Sequence, residues 1–176
     1  MQYDVLIKNG FVVDYATDTE KYADVAIKDR KIAKIAENID SGTAKEIYDV
    51  EGAIVMPGIV DPHMHASEWL GGFAGHKMLA KAGVTSALDM SGPGDSVFRL
   101  AKEYGVGINI ATIEYVRPGH TVKDDDPKED EAAALVDKVL ANGSIGVKML
   151  GGHYPLTPEA TARCIKVADE KNAYIA

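Results

Sequence analysis

The sequence predicts an α/β protein in two parts: a β-rich block over residues 1–56, then strands alternating with helices from residue 57 onward. Two observations carry this. Up to Val55, short apolar runs are punctuated by turn dipeptides. From Ile59, apolar strand-length runs alternate with amphipathic helical stretches, a pattern that argues for βαβ units and a parallel sheet.

In the first part, Val5–Lys8 and Phe11–Val13 flank Asn9-Gly10, which predicts a hairpin. Ala23–Lys28 and Lys31–Ile35 pair around Asp29-Arg30. Arginine suits a positive φ poorly, so this turn is expected to be longer or of another type. Glu46–Val50 and Ala53–Val55 complete the block around Glu51-Gly52.

In the second part, Pro57-Gly58 leads into a strand over Ile59–His63. A helix over Gly72–Ala82 and a strand over Val84–Asp89 follow. After the loop Ser91–Gly94, Asp95 is the expected N-cap of a helix to Tyr104. A third strand spans Gly107–Tyr115. Asp126 is the expected cap of the next helix, with Pro127 at its first position and Asn142-Gly143 at its end. A fourth strand spans Ile145–Leu150, Thr157-Pro158 starts a helix to Lys171, and a fifth strand begins at Ala173. A complete (β/α) barrel takes about 250 residues and eight units. The second part is therefore the first half of a TIM-type (β/α)8 barrel: strands 1–4 and the start of strand 5.

Composition excludes several functions. A net charge of −8 argues against a nucleic-acid surface. No apolar run reaches the roughly 18 residues a membrane span needs. The start, MQYDVLIKNG, has no positive region before an apolar core, so no secretory signal is expected. Cys164 is the only cysteine and lies in a helical pattern; it is expected to be buried, in a cytoplasmic protein. Asp124–Asp126 with Glu129–Glu131 read as a solvated loop and helix start, where carboxylates suit the dipole. Gly71-Gly72-Phe73-Ala74-Gly75 has neither spacing of a nucleotide-binding loop.

The chemistry concentrates in VMPGIVDPHMH, Val55–His65. Side chains at i and i+2 of a strand share a face, so Asp61, His63 and His65 point the same way from a strand end. Two imidazoles and a carboxylate so placed suit a divalent ion, which can make water a nucleophile at neutral pH. The bland alternative is two histidines that face solvent or satisfy a hydrogen bond. Lys148 lies in GSIGVKMLGG, the fourth strand, on the same face as Gly146 and Leu150. It either points into the barrel or snorkels from the strand end.

The VMPGIVDPHMH stretch resembles the first barrel strand of the amidohydrolase superfamily, which includes hydantoinases, dihydroorotases, D-aminoacylases and related deacetylases. The resemblance extends over essentially the whole chain. It implies that residues 1–56 are the small, here incomplete, β-sandwich subdomain that flanks the barrel. It implies that His63 and His65 hold the more buried of two metals, usually zinc, and that Lys148, carboxylated, bridges the pair. The implied activity is binuclear metal-dependent hydrolysis of a C–N bond in a small linear or cyclic amide, in a homo-oligomer. No residue of the chain is assigned a catalytic role.

Departures narrow this. Dihydroorotases commonly carry an arginine soon after HxH, where this chain has Ala66, Ser67, Glu68 and Trp69. The family's further histidines, from strands five and six, and its strand-eight aspartate would fall after Ala176. The aspartate is the general base, and such assistance is worth about 100- to 10,000-fold. The 176-residue chain alone is thus expected to have little or no hydrolase activity. The alternative is a non-catalytic half-barrel module that dimerises through open sheet edges. His120, His153 and Tyr154, in loops after strands three and four, either contact substrate or pack locally. Asp89 either faces the mouth or caps a loop, and His76 is expected outside the site.

Overall fold

β1 (Tyr3–Asp14) is the axis of the first sheet in this computed structural model, which describes residues 1–176. The chain divides into two units, Met1–Pro57 and Gly58–Ala176. In the first, β2 (Thr19–Lys28) runs antiparallel to β1 and is followed by β3 (Lys31–Ala36). β4 (Ala44–Asp49) and β5 (Ile54–Val55) both lie parallel to β1, one after the other: Tyr3 faces Ala44, and Phe11 faces Ile54.

Two of the three expected hairpins therefore do not form. Asn9-Gly10 is a bulge inside one continuous strand. Asn9 takes a φ of 58° and its N–H donates to Asp24 Oδ1 at 2.9 Å, so the dipeptide bends the strand without reversing it. Gly10 is needed there because a Cβ would fall 2.5 Å from Val55 Cγ2. Glu51-Gly52, at φ of 49° and 87°, carries the chain from β4 to β5 past that bulge, and both strands turn to β1. The third hairpin forms with a two-residue turn after all: Asp29 and Arg30 sit at φ of 49° and 63°. Both central residues are left-handed, as a primed turn requires. The Asp29 N–H donates to Asp4 Oδ2 at 2.8 Å, which helps to hold it.

The second unit is a parallel sheet in the order β6-β7-β8-β9-β10. The strands are β6 (Ile59–Met64), β7 (Val84–Asp89), β8 (Asn109–Tyr115), β9 (Gly146–Lys148) and β10 (Tyr174–Ile175). The helices between them are α1 (Gly72–Lys81), α2 (Gly94–Tyr104), α3 (Glu129–Ala141) and α4 (Pro158–Glu170). Strand order follows chain order, so right-handed crossovers put all four helices on one face. That is the winding of a barrel and the sheet curls as half of one, leaving its other face as the barrel interior. The largest apolar cluster includes Leu135, Val136 and Val139 of α3, Val147 of β9, and Cys164 and Val167 of α4. Cys164 is a buried packing residue, and burial raises its thiol pKa. No helix is long and apolar enough to cross a membrane.

Helix starts show where carboxylates are diverted. Thr157 caps α4 as expected, its Oγ1 accepting from Ala160 N–H at 3.1 Å. α3 starts two residues later than Asp126-Pro127 suggests, with Lys128 in the cap position. Asp126 is bound instead by Lys128, Arg163 and the Thr157 hydroxyl, and the two cations hold its carboxyl at a pKa of about 2. Asp95 lies in the first turn of α2, and Pro93 occupies the cap position.

One glycine is required by close approach. A Cβ on Gly146 would fall 1.8 Å from the Tyr174 carbonyl oxygen. We expect Gly146→Ala to cost about 1–3 kcal/mol of stability, because neither backbone can yield. Urea denaturation checks the magnitude. Faster amide exchange at Tyr174 and Ala176, which bond to Ile145 and Val147 across this contact, checks the location.

Candidate active site

The strand ends of the second unit open on a cavity of about 740 Å³. Parallel strands deliver their side chains to the same end, where barrel active sites sit. β6 supplies the HxH segment, β8 supplies Glu114 and Tyr115, and β9 supplies Lys148. The cavity therefore unites His65 with Lys148, and also receives His120, His153 and Tyr154.

His63 and His65 meet edge to face, with ring centroids 5.4 Å apart. His65 lines the cavity; His63 lies beside it, outside the lining set. Burial, the Lys148 ammonium and His63 together push the His65 pKa down, so the ring is neutral at pH 7 and can offer a lone pair. Asp61 lies outside the cavity lining, and its Oδ1 accepts the His63 backbone N–H at 3.1 Å.

Lys148 is 8% exposed and resolves the choice between barrel interior and snorkelling in favour of the interior. Its Nζ donates to the Met90 carbonyl at 3.2 Å and lies 5.9 Å from the centre of the Tyr115 ring. No carboxylate pairs with it. An amine reacts with carbon dioxide through its neutral form, and the resulting carbamate is anionic.

Two buried residues lock the segment after His65. Asp89 is fully buried and accepts from Ala66 N–H at 2.6 Å, Ser91 N–H at 3.0 Å, Gly92 N–H at 3.1 Å and the Ser91 hydroxyl. It is a loop clamp and does not line the cavity. His76, on α1, is 1% exposed and its Nε2–H donates to the Ala66 carbonyl at 2.9 Å. It too lies outside the cavity, as its helical position suggests.

Two lining residues were missed in the sequence. Glu114 is half-buried and accepts from Gly94 N–H at 3.3 Å and Tyr115 N–H at 3.0 Å. Burial raises its pKa above the usual carboxylate range. Arg117 lies over the Tyr154 ring, 4.5 Å from its centroid. The signal for Glu114 was the one that picked out Lys148, a charge inside an apolar strand. Arg117 precedes Pro118-Gly119 at a strand end, where loops carry function.

Two imidazoles and a buried amine fit a divalent ion in donor type, and they are an incomplete set. No group of three His, Cys, Asp or Glu side chains converges in the chain.

No family model matches the chain. It is 40% identical over 95 residues to allantoinase of Escherichia coli O1:K1, an alignment covering 51% of this chain and 20% of that one. Among solved structures it is similar to the L-hydantoinase of Arthrobacter aurescens, with a TM-score of 0.71 and 22% identity over 98% of this chain and 40% of that one. It is also similar to the N-acyl-D-glutamate deacylase of Bordetella bronchiseptica, solved with zinc and a phosphonate mimic of the tetrahedral intermediate. Here the TM-score is 0.67 and the identity 21%, over 99% of this chain and 44% of that one. The chain thus spans about a fifth of the length of the allantoinase and less than half of each structure. The resemblance drawn from VMPGIVDPHMH therefore holds: in fold throughout, and in sequence over half its length, the chain is similar to members of the amidohydrolase superfamily.

Proposed function

We propose that this chain is the N-terminal part of a binuclear metal-dependent amidohydrolase that cleaves a C–N bond in a small linear or cyclic amide. The observation that carries the reading is the convergence of His65, with His63 against it, and buried Lys148 on one cavity at the strand ends of a half-barrel. His63 and His65 would hold one ion, zinc being the first candidate, and Lys148 as its carbamate would bridge to a second. When bound, such ions polarise the amide carbonyl and lower the pKa of water. The chain's own residues fix the geometry. Asp89 and His76 pin the backbone that follows His65, and the Met90 carbonyl holds Lys148 Nζ. We further propose a cytoplasmic homo-oligomer acting on a small molecule.

Zinc titration of the 176-residue chain tests the reading. We expect His65→Ala to weaken zinc by at least about 100-fold, beyond the 10- to 100-fold typical of losing an outer-shell partner. Zinc bound equally by wild type and by the His63→Ala, His65→Ala double variant would overturn it. With two imidazoles and one amine as donors, and no placed general base, the chain alone is expected to hydrolyse amides at or near the background rate.

A second reading has one observation in its favour. Ile59 and Val60 on edge strand β6 are 48% and 66% exposed, an apolar edge open to another strand. A half-barrel that only dimerises through this edge predicts a zinc-free dimer on size exclusion.

A further inference from the structure

We propose that Arg117, stacked on Tyr154, is an anion-binding subsite that receives a carboxylate carried by the amide substrate. The identity of the ligand rests on the hydrolase reading; the subsite itself rests on the following geometry.

The guanidinium of Arg117 is held by its surroundings and left without a counter-charge. Its backbone is fixed by a tight turn. The Arg117 N–H donates to Thr121 Oγ1 at 2.6 Å, and its carbonyl accepts from the N–H groups of His120, Thr121 and Val122 at 3.1, 2.9 and 3.2 Å. Its Cζ sits 4.5 Å from the centre of the Tyr154 ring, within cation–π range. Stacking on a ring face uses the plane of the guanidinium and leaves its N–H edge free. That edge matches a carboxylate with two parallel hydrogen bonds.

No protein group answers this edge. Glu114 is the only carboxylate lining the cavity, and it is engaged by the Gly94 and Tyr115 N–H groups. The lining Lys148 is directed to the Met90 carbonyl. Arg117 is the lining side chain of fixed positive charge, and with no protein acceptor on its N–H groups it favours an anionic ligand. Arg117 and Lys148 share one cavity, so a molecule carrying an amide and a carboxylate can address both ends. Neutral cyclic amides would leave Arg117 unanswered.

The test compares three probes on the 176-residue chain by NMR titration: N-acetylglycine, its uncharged counterpart N-acetylglycinamide, and acetate. A hydrogen-bonded charge contact of this kind is worth roughly tenfold in affinity or more. We expect N-acetylglycine to bind about tenfold tighter than N-acetylglycinamide, and Arg117→Gln to abolish the difference. Tyr154→Leu, which leaves the 117–122 turn intact, should reduce it, and decides the matter if Arg117→Gln does not fold. Equal binding of acid and amide, or a preference untouched by both substitutions, overturns the subsite. Acetate bound as tightly as N-acetylglycine overturns the assignment to an amide ligand. Zinc content read on the same samples separates the two claims. A chain that discriminates the carboxylate but holds no zinc keeps the subsite and loses the hydrolase reading. A chain that holds zinc without discrimination does the reverse.

Discussion

Replacing Asp89 with alanine is expected to destabilise the Gly58–Ala176 unit by about 3 kcal/mol or more. The carboxylate is fully buried and answers three backbone N–H groups, those of Ala66, Ser91 and Gly92, plus the Ser91 hydroxyl. Each buried donor left without a partner costs about 1–3 kcal/mol. Packing around the new methyl recovers part of this, so the total is set by the two or three donors that water cannot reach. The damage is directional, since Ala66 follows His65. Loosening it frees the HxH segment, and zinc affinity should fall 10- to 100-fold even though Asp89 is not among the proposed ligands. Asp89→Asn keeps the shape and one acceptor oxygen but turns an amide NH₂ toward donors, and is expected to fall between. Urea denaturation and zinc titration of the same variants measure both effects. Full stability in Asp89→Ala would mean that the loop is held by other contacts.

Asp24→Ala should be the most damaging single change in the Met1–Pro57 unit, at about 3–5 kcal/mol, the range for removing one partner of a buried ion pair. Asp24 is 1% exposed and bonds Lys8 Nζ at 2.8 Å, Asn9 N–H at 2.9 Å and Ile39 N–H at 2.8 Å. Its removal leaves the Lys8 ammonium with only neutral acceptors, Asn38 Oδ1 at 3.1 Å and the Ile39 carbonyl at 2.9 Å, and unties both the β1 bulge and the segment before β4. Burial opposes the charge on Asp24, yet Lys8 and the two amides outweigh it and hold the carboxyl below its usual pKa. A depressed folded value stabilises the fold above the unfolded pKa of about 3.9, and that contribution is lost as pH falls through the folded value. Asp24→Asn should therefore flatten the acid limb of stability below about pH 4 and change little of its slope near neutrality. Amide exchange at Asn9 and Ile39 reports the change where it occurs.

The barrel half was legible because each of its elements is local. Apolar runs of strand length, a Thr157-Pro158 start and an Asn142-Gly143 stop depend on neighbours within one turn of chain, and the elements they predict are present. Partner choice was not legible. Asn9-Gly10 has the chemistry of a hairpin turn and makes a bulge, because the strand that answers it comes from residues 19–28 and not from the residues after the turn. Asp95 and Asp126 have the chemistry of caps, but competing groups distant in sequence claim Asp126. The same division runs through the site. His63 and Lys148 stand out as polar residues on strands, with His65 just past the end of β6, and it was the resemblance carried by VMPGIVDPHMH that supplied their expected roles. Arg117 gains its meaning only from Tyr154, thirty-seven positions on, and no local pattern joins the two.

The way β4 and β5 share one edge of β1 sets an order of events for the nascent chain. β1, β2 and β3 can pair as soon as residue 36 is available, since their contacts are close in sequence. The other edge must wait, because Tyr3–Lys8 find their partners only in Ala44–Asp49, and Phe11 and Val12 theirs only in Ile54 and Val55. Closing that long loop is the slow, entropically costly step. A ribosome-bound chain stalled before Ala44 therefore presents a three-stranded meander with one side of its first strand bare, one stalled before Ile54 leaves bare only the far end of that side, and completion of the sheet coincides with the entry of the first barrel strand. Protease protection of β1 measured at successive stall points should rise in three steps, the second as β4 emerges and the third only after Val55 has emerged.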